Sequence, residues 1–317
     1  DLPTHPDATP DALVDSPPGT PVDLEALLTS LSPVTGAPPG EVPLEGLLRL
    51  VRMPRREATS VLPDAPLPPL LAARLQAMGA TALWTHQAEA LAAARAGEHV
   101  VVSTGTASGK SLCFNLPVFE RLLADRKARA LYLYPTKSLA QDQLRAIRAF
   151  ALPQIGAATY DGDTPSAERT MVRSYARIVL SNPDMVHYGL LESHSRWAEF
   201  FGHLAYVVVD EAHTLRGVFG SHVGCILRRL RRVARHYGSE PQFILASATI
   251  GNPGDLAEAL VGLPFTTVDQ DGSPRGERLF AFWDPPFKDE GSGSRASANW
   301  ECARLMAGFV DQGVRTI

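Results

Sequence analysis

The residues Thr104-Gly105-Thr106-Ala107-Ser108-Gly109-Lys110-Ser111 have the types and spacing needed to hold phosphate. Small side chains let successive backbone N–H groups turn inward around phosphate oxygens. A helix opening at Lys110 would aim its positive end at the same charge. Lys110 then neutralises the β- and γ-phosphates, and the Ser111 hydroxyl ligates Mg²⁺. Thr104 stands where the standard pattern has Gly, and Ala107 stands where a second Gly is common. A second constellation, Asp210-Glu211-Ala212-His213, closes the apolar run Tyr206-Val207-Val208-Val209. An acid at the C-terminal edge of a strand faces the crevice where α/β sheets bind ligands. There Asp210 would hold Mg²⁺ and Glu211 would orient or deprotonate an attacking water, with His213 completing the box. Adjacent acids alone are usually just solvated; following a phosphate loop, they pair with it to imply ATP and Mg²⁺ as cofactors.

These groups need a scaffold, and hydrophobic periodicity outlines one. His99–Ser103 reads as a buried strand leading into the loop. Further strands are expected at 130–134, 156–160, 177–181, 205–210, 242–247 and 265–268. Helical patterns fall between them at 111–126, 137–150, 165–175, 183–191, 221–237 and 253–261. Alternating strands and helices predict an α/β domain over residues 84–270, with a parallel sheet covered by helices on both faces. Ahead of it, residues 1–43 are Pro-, Gly- and Asp-rich and read as a mobile tail with one short helix at 22–31. Residues 44–83 read as a small helical extension, with helices at 43–52 and 69–78. A third helix is expected at 84–94. Residues 271–298 read as a loop-rich connector, followed by a helix at 298–310 and a strand beginning at 313–317. A second α/β domain is expected to continue from there.

Composition bounds the partners. The chain has 317 residues, 45% of them hydrophobic, and a net charge of −4. No apolar run approaches the ~20 residues of a membrane span. Cys113, Cys225 and Cys302 lie far apart, without metal-ligand or disulfide-framework spacing, which fits a reducing cytoplasmic setting. The acidic balance means that any nucleic-acid contact must come from a local surface. The most basic stretch, Arg228–His236, has apolar partners at helical spacing. It reads first as a solvated cationic helix face, with a strand-guiding patch or docking site as the sharper alternative.

Four further segments carry a resemblance to the DExH-box helicases of superfamily two. His86-Gln87 resembles the motif whose Gln reads adenine, since an amide pairs with both donor and acceptor edges. Pro135-Thr136-Lys137-Ser138 and Asn182-Pro183-Asp184 resemble the family's strand-gripping motifs. Ser247-Ala248-Thr249 resembles the motif coupling hydrolysis to domain movement, so Ser247 and Thr249 are the coupling candidates. The stretches Leu83–Ala90 and Thr106–Pro117 are similar to the mitomycin repair factor A group and its RecQ-like relatives.

The resemblance implies a RecA-like first motor domain over 84–270, with 271–317 leading into a second. It further implies 3′-to-5′ movement on single-stranded or forked DNA, a role in DNA repair and a cytoplasmic, nucleoid-associated setting. Thr136, Lys137, Asn182 and Asp184 would grip the strand backbone without reading sequence. The family's second motor domain, with its arginine finger, and its C-terminal region would be partners within the same protein. An RNA motor of the same class and a nucleotide-dependent scaffold remain open from the motifs.

Overall fold

The computed structural model describes residues 23–31, 46–289 and 293–316. In chain order its elements begin α1 Leu24–Ser30, β1 Gly46–Met53, β2 Ser60–Val61, α2 Pro69–Ala77, β3 Leu83–Trp84 and α3 Thr85–Arg95. The central run is β4 Val100–Ser103, α4 Lys110–Ala124, β5 Arg129–Leu133, α5 Lys137–Ala149, β6 Ala157–Thr159, α6 Ser166–Tyr175 and β7 Ile178–Ser181. It continues through α7 Pro183–Met185, α8 Ala198–Gly202, β8 Leu204–Val209, α9 Gly217–His236, β9 Gln242–Ser247, α10 Pro253–Val261 and β10 Thr266–Val268. The last elements are β11 Arg278–Asp284, β12 Phe287–Asp289, β13 Ser294–Arg295 and α11 Ala298–Asp311. They fall into two compact units, one of residues 57–275, the other of residues up to 56 together with 276 onward.

The larger unit is built on a seven-stranded sheet in the order β10-β4-β9-β8-β5-β7-β6. Every pairing in it is parallel. Its strands are near-continuous apolar runs, such as Val100–Val102, Val207–Val209 and Phe243–Ala246, because both faces are covered. One core gathers Leu91, Phe114, Phe119 and Tyr132; the other, on the opposite face, gathers Leu131, Trp197, Leu227 and Phe243. Side chains alternate across each strand, so neighbours such as Leu131 and Tyr132 fall into different cores. The sheet places the C-terminal ends of β4, β9 and β8 side by side. Those ends lead into the phosphate loop, the Ser-Ala-Thr segment and the acidic box.

In the smaller unit, β1 and β11 pair antiparallel, with a bulge between Leu47 and Arg49. A helix expected at 43–52 is therefore a strand from Gly46 onward. Leucines at helical spacing also satisfy a two-sided strand, and a partner more than 220 residues away in sequence selects the strand. Of the helical extension at 44–83, only Pro69–Ala77 is helical among the described residues, with short strands at 60–61 and 83–84. The connector at 271–298 carries the strands β11, β12 and β13 rather than loop alone. Residues 314–316 form no strand, and Ile317 lies outside the described residues. Residues 183–191 form one short α-turn followed by a π-type turn, Val186–Leu191, instead of a regular helix. The tail expected at 1–43 lies outside the described residues except for 23–31, where α1 forms with Asp23 as its N-cap. No helix among the described residues is long and apolar enough to cross a membrane.

Candidate functional site

β4 delivers the chain into a loop pinned by its own hydroxyls. Thr104 and Ser108 are both buried, their hydroxyl oxygens 2.7 Å apart, and Ser108 Oγ donates to the Gly105 carbonyl at 2.7 Å. Lys110 Nζ donates to the carbonyls of Thr104 and Gly105 at 3.0 and 2.7 Å. Ser111 follows in the first turn of α4. Two left-handed residues make the loop's turn: Ala107 at φ 59° and Gly109 at φ 67°. At Gly109 a second constraint applies, because a Cβ there would lie 2.7 Å from the Trp84 ring and 2.8 Å from Gln87 Nε2. Ala107 has no such freedom and carries the strain expected of an alanine in that region.

Two neighbours on α3 hold the loop from outside. Gln87 is buried; its Oε1 accepts from Trp84 N–H at 3.0 Å and its Nε2 donates to the Gly109 carbonyl at 3.1 Å. Both ends of the amide are thus engaged within the protein, and Gln87 braces the loop. The adenine contact expected of it would require these bonds to be exchanged. His86 is fully buried, and the motif it shares with Gln87 assigns it no role of its own. Its Nδ1 accepts from Gly272 N–H at 3.2 Å, so Nε2 carries the proton and donates to the Ser108 carbonyl at 2.9 Å. That ring links the phosphate loop to the segment after β10. The close fit of Gly272 is part of the link, since a Cβ there would sit 2.1 Å from Thr85 Oγ1.

The acidic box begins as β8 ends. Asp210 Oδ1 accepts from Glu211 N–H at 2.9 Å. Burial pushes the Asp210 carboxyl up to about 6; the Glu211 backbone bond opposes this, the Glu211 charge adds to it, and the Lys110 ammonium pulls it down. Glu211 sits at φ 52°, which turns its side chain out of the strand line. Its Oε2 lies 3.2 Å from His213 Nδ1. The same Nδ1 lies 3.2 Å from the backbone nitrogen of Ala248. A neutral Nδ1 accepts from Ala248, whereas a protonated one pairs with Glu211, so His213 can serve the acidic box or the Ser-Ala-Thr segment but not both at once.

Ser247, buried, donates to the Ala248 carbonyl at 2.8 Å, and Ser103 at the end of β4 donates to the same oxygen at 3.1 Å. Thr249 is exposed. Ser103 is a second connector that sequence reading missed; it is visible only once β4 and β9 are known to be neighbours, with Ser103 opposite Ser247.

Thr136, Lys137, Asn182 and Asp184 come together on the adjacent ends of β5 and β7. Their bonding is local. Thr136 Oγ1 caps α5 by accepting from Leu139 N–H at 3.3 Å. Asn182 Oδ1 caps α7 by accepting from Met185 N–H at 2.8 Å. Lys137 Nζ pairs with Asp163 at 2.6 Å, and that bond holds the ammonium above its ordinary range. Asp184 is exposed. The basic stretch 228–236 has a structural task. Arg228 donates to the Ala259 carbonyl and Arg231 to that of Val261, closing the C-terminal end of α10.

Comparison with known proteins matches this arrangement. Residues 84–256 fit the DEAD/DEAH box helicase family. The uncharacterized ATP-dependent helicase YprA of Bacillus subtilis is 44% identical over 268 residues, 83% of this chain and 36% of its own length. The ATP-dependent helicase HRQ1 of Saccharomyces cerevisiae is 39% identical over 242 residues, 74% of this chain and 22% of its own. A crystal structure of the helicase MrfA bound to DNA is similar at TM-score 0.81 and 42% identity, covering 86% of this chain and 37% of that one. MrfA bound to DNA and AMPPNP gives 0.80 and 41%, covering 90% and 39%. The chain thus spans well under half the length of these relatives. It belongs to the DEAD/DEAH box helicases.

Proposed function

We propose that this chain is the ATP-binding half of a superfamily two DNA helicase that moves 3′ to 5′ and serves DNA repair in the nucleoid. The observation carrying this reading is the row of chemistry along β4, β9 and β8: phosphate loop, Ser-Ala-Thr segment and acidic box, joined through Ser103 and His213. A static nucleotide-binding scaffold needs no such connection. DNA rather than RNA is supported by MrfA, which is solved bound to DNA.

ATP would lie with its phosphates over the backbone N–H groups of Thr104–Ser111 and against the N-terminus of α4. In that position Lys110 exchanges its bonds to the Thr104 and Gly105 carbonyls for phosphate oxygens. The residues present fit Mg²⁺: the Ser111 hydroxyl and the Asp210 carboxylate are hard oxygen donors that would hold it. A buried Tyr134 hydroxyl without a hydrogen-bond partner among the described residues adds a site for a bound water; burial first, then the Asp210 charge, holds that phenol protonated. When bound, Mg²⁺ supplies charge neutralisation at the phosphates. Glu211 orients the attacking water and takes its proton. Movement of Glu211 shifts His213, and His213 touches Ala248, which offers a route from hydrolysis to the Ser247–Thr249 segment. Thr136, Lys137, Asn182 and Asp184 contact the strand backbone, Lys137 leaving Asp163 for phosphate. The charge-stabilising arginine and the other half of the strand grip come from the second motor domain and C-terminal region of the intact protein.

ATP hydrolysis by the intact protein, alone and with single-stranded DNA or RNA, tests this reading. DNA stimulation that Glu211→Gln abolishes is expected. Stimulation by RNA alone would make it an RNA motor. ATP binding with stimulation by neither would make it a switch or scaffold.

A further inference from the structure

Tyr132, in β5, and Tyr134, just after it, point to one face of the sheet. Both are buried in the core of Leu91, Phe114 and Phe119. Their hydroxyls are treated differently. Tyr132 donates to Asn115 Oδ1 on α4 at 2.9 Å. The Tyr134 hydroxyl, equally enclosed, meets no hydrogen-bond partner among the described residues. A buried donor without a partner forfeits its hydration, and phenylalanine would fill the same space without that loss. The core around this oxygen is built from residues 71–268, all within the larger unit. Chain beyond that unit can cover such a core but not enter it, whereas water and a metal ion can.

Strand register fixes what stands beside it. β5 and β8 are parallel neighbours, with Tyr132 opposite Val208 and Leu133 opposite Val209. Asp210 N–H extends the ladder by donating to the Leu133 carbonyl at 3.0 Å. Tyr134 and Asp210 are therefore the next pair. Val208 belongs to the same core as Tyr132 and Val209 to the opposite one, so alternation turns Asp210 to the face that Tyr134 occupies. That face is covered by α4, which Lys110 and Ser111 open. Ser111 stands one turn before Asn115 on α4, and Tyr134 two residues after Tyr132. Because α4 runs back along the sheet, the step on from the Tyr132–Asn115 pair leads towards Tyr134 and Ser111. Burial first, then the Asp210 charge, keeps the phenol protonated, so its hydroxyl is a donor.

We propose that Tyr134 is a positioning residue for Mg²⁺: its hydroxyl donates to a water held by Asp210 and so fixes the carboxylate that holds the ion. The proposal rests on the Mg²⁺ site of the function proposed above. A donor behind a metal ligand sets the ligand's orientation, and removing it typically lowers metal affinity about 10- to 100-fold. Tyr134 acts through Asp210 alone, so nucleotide binding without metal should not depend on it.

Tyr134→Phe in the intact protein removes one oxygen and leaves the ring. Mn²⁺, standing in for Mg²⁺, is titrated into the protein–ADP complex and followed by electron paramagnetic resonance, a readout independent of turnover. Mn²⁺ affinity is expected to fall about tenfold or more in Tyr134→Phe. ADP affinity in the presence of a chelator should stay the same, and the melting temperature without metal should be unchanged or raised. Asp210→Asn, titrated in parallel, tests the metal site itself and should abolish Mn²⁺ binding to the complex. Mn²⁺ affinity lost in Asp210→Asn but unchanged in Tyr134→Phe would overturn this proposal and leave the metal site standing. Mn²⁺ affinity unchanged in both would overturn the metal site and the proposal with it. A fall in the metal-free melting temperature of Tyr134→Phe, with weaker ADP binding under chelation, would make the hydroxyl a structural donor and likewise overturn the proposal.

Discussion

The phosphate loop and the β5–β7 edge are both loops at the top of one sheet, yet they are held in different ways. Around the loop, Thr104, Ser108, Gln87 and His86 are all buried and bond to backbone or to each other. At the β5–β7 edge, Thr136, Lys137 and Asp184 are exposed, and each hydrogen bond reaches only a neighbouring helix turn or a surface acid. The loop must present fixed N–H groups to phosphate and keep them fixed through turnover, which favours over-determined packing. On the proposed function, the β5–β7 edge would release and regrip a strand, and bonds that exchange with phosphate at little cost suit that task. Substitutions should therefore act on fold and chemistry together in the first region, whereas in the second the helix caps Thr136 and Asn182 carry the stability and an exposed side chain such as Lys137 should affect binding alone.

The largest effect should come from the box beside the loop. Glu211→Gln is expected to cut DNA-stimulated hydrolysis roughly 10²–10⁴-fold while ATP binding persists. Equal loss of binding would make Glu211 a structural residue. Gly109→Ala is next. It meets both a left-handed φ and the Trp84 ring, and should cost about 2–3 kcal/mol by denaturant titration.

Asp210 sharpens the contrast through pH. Its carboxyl sits near 6 in the folded chain against an ordinary 3.8. Ionising it therefore costs the folded state stability above pH 6, and this cost shrinks as pH falls through 6 towards 3.8. Asp210→Asn should accordingly be more stable than the parent at pH 7.5, on the order of 1 kcal/mol because the carboxylate keeps partial solvent access, and the gap should close near pH 4. The same variant should lose Mg²⁺-dependent hydrolysis. A gap that does not vary with pH would show that burial of the charge is not its source.

At the β5–β7 edge, Thr136→Ala and Asn182→Ala should each cost about 1 kcal/mol, the loss of a helix cap. Lys137→Gln should leave the melting temperature unchanged, weaken single-stranded DNA binding and lower its salt slope by about one. A fall in melting temperature in Lys137→Gln would erase the distinction between the two regions.

Local chemistry in the chain was sufficient to locate much of this. The phosphate loop, the acidic box and the alternation of strands and helices each depend on residues close in sequence. The strand at 100–103 and the helices at 85–95, 253–261 and 298–311 lie close to where periodicity puts them. Tertiary contact decided the rest. β1 became a strand because β11, far along the chain, completes its hydrogen bonds. His86 and Ser103 became connectors because the fold brings Gly272 and Ala248 beside them. Gln87 braces the loop because Trp84 and Gly109 hold both ends of its amide. A sequence determines which groups a residue can bond. Which of them it meets depends on the order of strands in the sheet, and periodicity carries no record of that order.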